Sequence, residues 1–429
     1  MRLDNTAATN MLQTDSTNES DLPTGDSQDG SRSKSAVSDA MSPLNLDAAS
    51  ELLSGFLKTC VAEGASDLHL SSGQSPFFRA DGKLRRNESW PVLSGEDVLA
   101  VASVLAQRDL TSWSKGAIDG AVTEAGGRFR FNIFRKQHET AIAIRRLEER
   151  IRTLDELGLP ESLYDLADLK DGLVIVAGPT GSGKSTTLAT LIDRINREHH
   201  SHIITIEDPI EYIHPPKNSL VNQRQIGVDS DSFNDALVAS LRQDPDVILV
   251  GEIRELETIR TAITAAETGH LVFATVHAPD CMGVIERMVS VFPTAEQAGV
   301  RRQLALVLKS VVAQHLMVAD GPSVVADESA GNRDVARRVL ASEIMRVNSA
   351  IANLIASGKS AQILSLIESG TASGMRTLDQ NLAELVHDGM ISTRTAEAYA
   401  QNPGIVQDRL ARLQRGRPTR ANQRGGARR

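Results

Sequence analysis

Apolar side chains recur along this chain in rhythms that change at identifiable places. From Leu46 to Ala62 they return every three or four positions, so that Leu52, Leu53, Phe56, Leu57 and Val61 share one side of an amphipathic helix that Gly64 ends. The period then shortens to two. Residues 65–70 alternate as a strand, 76–84 read as a hairpin turning at Asp81-Gly82, and 127–134 and 140–146 alternate again, with a second helix over Glu96–Gln107. Helices and hairpins without strand–helix–strand alternation predict a small α+β domain over 44–150. Further on the strands become continuous apolar runs: Leu173–Ala177, His202–Ile206, Val247–Val250 and Leu271–Val276. Helical spacing, as in Thr187–Ile195, separates them, which predicts α/β architecture around a parallel sheet buried on both faces.

The rest of the chain is bounded by what these patterns leave. Residues 1–43 have few large apolar side chains and are rich in Asp, Ser, Thr and Asn, so a disordered acidic extension is expected there. Residues 151–165, with Leu154–Pro160, read as a linker, and the core domain is expected over 166–320. A polar loop from Asp320 to Asp334 opens a helical C-terminal region over 321–402. After it, 403–429 is dense in Arg, Gly and Pro and is expected to be a disordered tail.

Composition narrows the function. The chain has 429 residues, 41% of them hydrophobic but only 3% aromatic, which means aliphatic cores and few stacking platforms for nucleic acid bases. With a formal charge of −9, nucleic acid is an unlikely partner despite the Arg-rich tail. No run approaches the roughly 20 apolar residues of a membrane span, and the polar stretch 5–42 has no signal-peptide core. Two cysteines, Cys60 and Cys281, make neither a disulfide framework nor a structural metal site. A cytoplasmic protein is expected.

The strongest chemical signal is Gly178-Pro-Thr-Gly-Ser-Gly-Lys-Ser-Thr186, which fits G-x-x-x-x-G-K-[ST] between a buried strand and a helix. Gly178, Pro179, Thr180, Gly181, Ser182 and Gly183 would turn backbone N–H groups onto phosphates, followed by Lys184, Ser185 and Thr186 at the helix N-terminus. Lys184 would neutralise the outer phosphates of ATP and Ser185 would ligate Mg²⁺. In a parallel sheet, ligands sit at the carboxyl ends of the strands. Three other strands end there in Glu207-Asp208-Pro-Ile-Glu211, Gly251-Glu252 and His277. Glu252 is the candidate for orienting the attacking water, and Glu207, Asp208 and Glu211 for tuning Mg²⁺ or sharing that task. His270 and His277 flank one strand at an odd separation, which places them on opposite faces, so only one of them should address the nucleotide. Arg128, Arg130, Arg145 and Arg146 in the small domain, and Arg287, are candidates for positive charge on the γ-phosphate.

Taken together, the phosphate loop, Ile204–Glu211, Leu241–Glu252 and Ala265–His277 resemble the Walker A, Asp box, Walker B and His box of the type II/type IV secretion ATPase superfamily. The likeness extends to Ala65–Leu70, Phe78–Gly82 and Arg128–Asn132 in the small domain, and to Met288–Pro293 and Glu343–Met345 beyond the core. Within that superfamily the chain is similar to the PilT-type twitching-motility (retraction) branch, with a short N-terminal domain and no four-cysteine zinc motif. The resemblance implies a PAS-like N-terminal domain, a RecA-like ATPase domain and a homo-hexameric ring. It further implies ATP and Mg²⁺ as ligands, a pilus platform protein at the inner membrane as partner, and other pilus ATPases as companions. It also implies Glu211 as the Asp-box glutamate, His270 and His277 as His-box residues, and a place for Arg287 near the active site or a subunit interface. One segment departs. The branch carries Ala-Ile-Arg-Asn-Leu-Ile-Arg-Glu, linked to retraction, whereas Ala350–Ser357 keeps the apolar positions and loses both arginines and the glutamate. Pilus assembly, type II secretion or an accessory role is therefore the alternative, ahead of a nucleic-acid translocase or a nucleotide-binding regulator.

Overall fold

A computed structural model describes residues 45–80, 82–320 and 338–415. The expected N-terminal extension and the far end of the Arg-rich segment lie outside the described residues, as does most of the polar loop after Asp320.

The small domain follows the period-two reading. Its elements are α1 (Leu46–Ala62), β1 (Asp67–Ser71), β2 (Phe77–Ala80), β3 (Lys83–Arg86), α2 (Gly95–Ala106), β4 (Ala117–Glu124), β5 (Gly127–Lys136) and β6 (Glu139–Leu147). The strands form one antiparallel sheet in the order β3-β2-β1-β6-β5-β4. Alternation along β5 decides what each face does. Phe129, Phe131 and Ile133 are buried with Phe56 and Leu57 of α1 and Val98 and Val101 of α2. Arg128, Arg130 and Asn132 consequently share the other face. Gly120 lies opposite Phe131 in the β4–β5 ladder, and a Cβ there would come within 2.4 Å of the Phe131 ring, so the bulky core residue requires the glycine.

The second sheet is built from β7 (Gly172–Ala177), β8 (His202–Glu207), β9 (Leu220–Gln225), β10 (Val247–Val250), β11 (Leu271–Val276), β12 (Leu308–Val318) and β13 (Arg338–Arg346). Their order is β13-β12-β7-β11-β10-β8-β9, parallel throughout except where β13 pairs antiparallel with β12. The helices α3 (Lys184–Glu198), α4 (Phe233–Ser240), α5 (Leu256–Glu267), α6 (Cys281–Ser290) and α7 (Thr294–Val307) cover the sheet. β7, β10 and β11 are buried at every position, as continuous apolar runs require.

Three expected boundaries shift. The segment expected as a linker is part of the core: Leu154, Leu159 and Leu163 are buried with Val174, Val176 and α3's Leu191 and Ile192. The core does not end at 320 either, because β13 completes its sheet from within the region expected to be helical. Five helices then follow: α8 (Ser349–Ala356), α9 (Ile363–Ser369), α10 (Leu378–His387), α11 (Thr393–Tyr399) and α12 (Pro403–Arg415). The last of these corrects the expectation of disorder from 403. Val406 is fully buried against α10-bearing packing, with Leu413 beside it, and the Asp379 carboxylate accepts from the Gln401 and Asn402 backbone N–H groups, each at 2.9 Å. Arginine density hid an apolar stripe at Val406, Leu410 and Leu413, while Pro403 sits in the first helical turn, where its missing N–H costs nothing.

Glu343 ties this C-terminal part to the core. It is 1% exposed on β13, and its carboxylate accepts from the N–H of Cys281 at the start of α6 (2.9 Å) and of Leu378 at the start of α10 (3.4 Å). Burial pushes its pKa up, against the pull of those two backbone donors.

Because Val406 anchors α12, Val406→Asp is expected to lower stability by about 2 kcal/mol or more through an unpaired buried carboxylate. Chemical denaturation checks this. A variant as stable as the wild type would show that α12 does not pack in solution.

Candidate nucleotide site

The phosphate loop is held open from below by its own backbone. β7 lies between β11 and β12, and Gly178 leaves its end with φ +144°. A Cβ at Gly178 would stand 2.4 Å from the Gln314 carbonyl oxygen of β12 and from Ser182 Oγ, so both conformation and space demand glycine. Gly183, at φ +90°, is the N-cap of α3 and brings no side-chain acceptor to the helix N-terminus. The first N–H groups of α3 therefore point into the loop without a capping side chain, as anion binding requires. Lys184 Nζ donates to the Gly178 and Pro179 carbonyls, each at 3.0 Å, which folds the ammonium over the space a phosphate would take. Burial holds its pKa below the usual lysine value, while Glu252 and Glu211 pull it back up. Behind the loop, Gln314 Nε2 donates to Thr187 Oγ1 at 2.7 Å, and Thr186 Oγ1 meets Tyr212 Oη at 3.0 Å.

Sheet register delivers the acidic groups. Val250 pairs with Ile206 of β8 and Ala274 of β11, so Gly251 and Glu252 emerge between Glu207 and the end of β11. Glu252 Oε1 lies 3.2 Å from His277 Nε2. Arg254, two residues on, donates from Nη2 to Glu252 Oε2 at 2.6 Å and sets its Nε 2.5 Å from Oε1 as an ion pair, while Oε1, though buried, has no hydrogen-bond partner. Burial would raise the Glu252 pKa, but the Arg254 hydrogen bond and nearby positive charge, that of Arg254 and Lys184 included, outweigh it and hold the carboxyl below its usual value. His277 is held below the usual imidazole value, by burial first and then by Lys184, so it is neutral at pH 7. Glu207 accepts from Thr205 Oγ1 (2.7 Å) and Gln223 Nε2 (3.2 Å), and burial pushes its pKa up.

The small domain reaches this edge through the polar face of β5. Arg128 Nη2 donates to the Ile210 carbonyl at 3.1 Å, and its charge acts on Glu207. Arg130 lies 3.9 Å from Asp119 and acts on Asp208, whose pKa is raised by burial and by Asp119.

Of the residues singled out from the sequence, the structure gathers the loop, Glu211, Glu252, His277, Glu207 and, on the facing sheet, Arg128 and Arg130. Arg287 is exposed on α6, near enough for its charge to act on His277. Three others are elsewhere. His270 precedes β11 and so sits at the far end of a six-residue strand, about 20 Å from His277. Its Nδ1 meets the Ala265 carbonyl at 2.9 Å and Thr268 Oγ1 at 3.2 Å, capping the end of α5. Opposite ends of the strand, more than opposite faces, separate the two histidines. Arg145 is engaged with Asp67 at 2.8 Å inside the small domain, and Arg146 acts on the Cys60 region of the same domain. Arg254 was not singled out. The signal was available, since a residue two places past a strand-end glutamate can fold back onto it.

The model of the type II/IV secretion system protein family matches residues 45–398. The chain belongs to that family. It is 42% identical over 343 residues to the type IV pilus retraction ATPase PilT of Pseudomonas aeruginosa, covering 80% of this chain and 96% of the relative. It is 41% identical over 331 residues to the twitching motility protein of Neisseria gonorrhoeae, covering 76% and 85%. A crystal structure of the pilus retraction motor PilT with bound ADP superposes with a TM-score of 0.74 at 40% identity, covering 83% of this chain and 99% of that one. This family member thus shares with a solved retraction motor both its fold and most of its length.

Because Gly178 has no room for a methyl group, Gly178→Ala is expected to weaken ADP binding at least about 100-fold while the protein stays folded. Fluorescent-nucleotide titration beside a thermal melt measures both. Undiminished binding in a folded variant would mean that nucleotide does not sit in this loop.

Proposed function

We propose that this chain is an ATPase motor of a type IV pilus, working in retraction and twitching motility, and that it acts as a homo-hexameric ring. The observation that carries the reading is the convergence of Lys184, Glu252 and His277 at one sheet edge that small-domain arginines face. The loop glycines and the α3 N-terminus would receive the triphosphate, and Lys184 would exchange the loop carbonyls for its outer phosphates. Ser185, in the first turn of α3, would hold Mg²⁺ together with those phosphates. No cluster of three or more His, Cys, Asp or Glu among the described residues forms a metal cage, which suits an ion held chiefly by substrate oxygens and water. Bound Mg²⁺ would neutralise charge on the β- and γ-phosphates.

Glu252 then orients the attacking water through its unpartnered Oε1, which lies 3.2 Å from His277 Nε2. As the water oxygen bonds to the γ-phosphorus, the bridging bond to ADP breaks, and ADP and phosphate result. Glu211 and Glu207 shape the charge around Lys184, while Arg128 links the hydrolysis edge to the small domain, whose movement relative to the core would be the mechanical output. Among the described residues no helix is long and apolar enough to cross a membrane, so the motor would reach the inner membrane through a platform protein.

An accessory motor is the second reading, favoured by one observation. On α8, Ala352 and Ala356 occupy two of the positions where the retraction branch has arginine, and both are only half-buried. Longer side chains there would reach a partner, and alanines do not.

Glu252→Gln is expected to lower ATP turnover at least about 100-fold with ATP binding retained, and chelation of Mg²⁺ to abolish turnover in the wild type. In piliated cells lacking their own retraction ATPase, the wild-type chain should restore twitching and Lys184→Ala should not. ATP hydrolysis without restored twitching would instead select the accessory reading.

A further inference from the structure

Gln314 interrupts an apolar run in the middle of β12. It is 0% exposed and follows Val311, Val312 and Ala313, all buried, so packing alone would be met by Met or Leu. Pairing of Ala313 with Ala177 sets Gln314 beside Gly178, where β7 ends. One arm of its amide is used, since Nε2 donates to Thr187 Oγ1 near the start of α3 at 2.7 Å. The other is not: Oε1 is buried and has no hydrogen-bond partner. Ser182 Oγ, inside the phosphate loop, is in the same condition. Ser182 and the Gln314 main chain border one point, because Ser182 Oγ and the Gln314 carbonyl oxygen each stand 2.4 Å from where a Gly178 Cβ would be. A hydroxyl can donate or accept and a primary amide offers both, so the two unmatched groups are complementary whichever way the amide is turned. Buried polar groups are rarely left unmatched unless another state of the protein uses them.

We infer that Gln314 is a positioning residue for the phosphate loop, whose side chain ties α3 to the loop by pairing with Ser182 when nucleotide is bound. The inference rests on the proposed ATP site. Here the start of the loop is held by Lys184, whose Nζ donates to the Gly178 and Pro179 carbonyls at 3.0 Å each. The Ser182 N–H closes a turn onto the Pro179 carbonyl at 3.2 Å, so Ser182 moves with that segment. Arriving phosphates draw Lys184 off those carbonyls. The turn is then free to settle onto β12, where the Ser182 hydroxyl meets the spare arm of the amide. Gln314 touches no phosphate. It acts through Ser182, keeping the loop N–H groups in the anion-binding shape from a strand buried within the sheet. That gain does not depend on a γ-phosphate, so it falls to ATP and ADP alike. Gln314 therefore sets affinity rather than the rate of the chemical step.

The test is a double-mutant cycle in the full chain, with Gln314→Met, Ser182→Ala and both together. Binding of ADP with Mg²⁺ and steady-state ATP hydrolysis are measured beside thermal melts without nucleotide. Each single variant should weaken ADP binding about tenfold, and the double variant should lose no more than Gln314→Met alone, because the bond is already gone. In Gln314→Met, KM for ATP should rise about tenfold while turnover at saturating ATP stays within about twofold. The nucleotide-free melts should show no coupling between the two positions. Gln314→Leu takes the same place in the cycle if Gln314→Met does not fold. Affinity losses that multiply in the double variant, affinity equal to that of the wild type, or a fall in turnover with KM unchanged would overturn the inference and leave Gln314 as a packing residue. Coupling already present in the nucleotide-free melts would overturn it too, making the pair a static part of the fold. A wild type that bound neither ADP nor ATP would overturn the ATP site itself, and this inference with it.

Discussion

Everything at this site depends on the in-register parallel pairing of β8, β10, β11 and β7. Once Val250 is paired with Ile206 on one side and Ala274 on the other, the residues after these strands leave the sheet side by side. Glu252, Glu207 and His277 need no long-range search to find one another. The hydrogen-bond ladder sets their spacing, and the buried apolar runs resist a slip in register, because a one-residue shift would push Glu252 or Glu207 into the core. Gly178 adds the one close approach the sheet requires, with β7's exit crossing the Gln314 carbonyl of β12.

The electrostatics follow from that placement. A half-buried cluster holding Glu252, Glu211 and Glu207 beside Lys184, Arg254 and His277 is nearly balanced without nucleotide. In that state Lys184 lies on loop carbonyls, Arg254 on Glu252, and Glu207 on Thr205 and Gln223. Such internal pairing lowers the cost of exposing the site to no ligand, and it makes arrival of a triphosphate an exchange of partners rather than a simple addition.

Most of this was legible in the sequence where a local rule suffices. Glycine spacing gave the loop, continuous apolar runs gave the parallel strands, and period-two alternation put Arg128 and Arg130 on one face. Legibility failed where position depends on distant packing. Parity along β11 separated His270 from His277 by face, yet strand length separates them far more decisively. Arg145 carries the same side chain as Arg128 but is taken by Asp67 of a neighbouring strand, a pairing that no local pattern announces. The leucines of 151–165 looked like punctuation until the sheet face they cover was in view, and the apolar stripe of α12 was diluted by the arginines between its members.

The site also has two physical outlets, which distinguishes it from a nucleotide pocket sealed within one domain. Toward the small domain, Arg128 bonds the Ile210 carbonyl in the same acidic segment that carries Glu207 and Glu211, so movement of that segment pulls on β5. Toward the C-terminal helices, His277 is followed within four residues by Cys281, whose N–H is held by Glu343, and the same carboxylate holds the first N–H of α10. Replacing Glu343 by a residue with one acceptor would leave one of two buried helix starts unsatisfied, so the two helices are energetically tied through it. The segment after His277 therefore has a hydrogen-bonded route, through Cys281 and Glu343, to the start of α10.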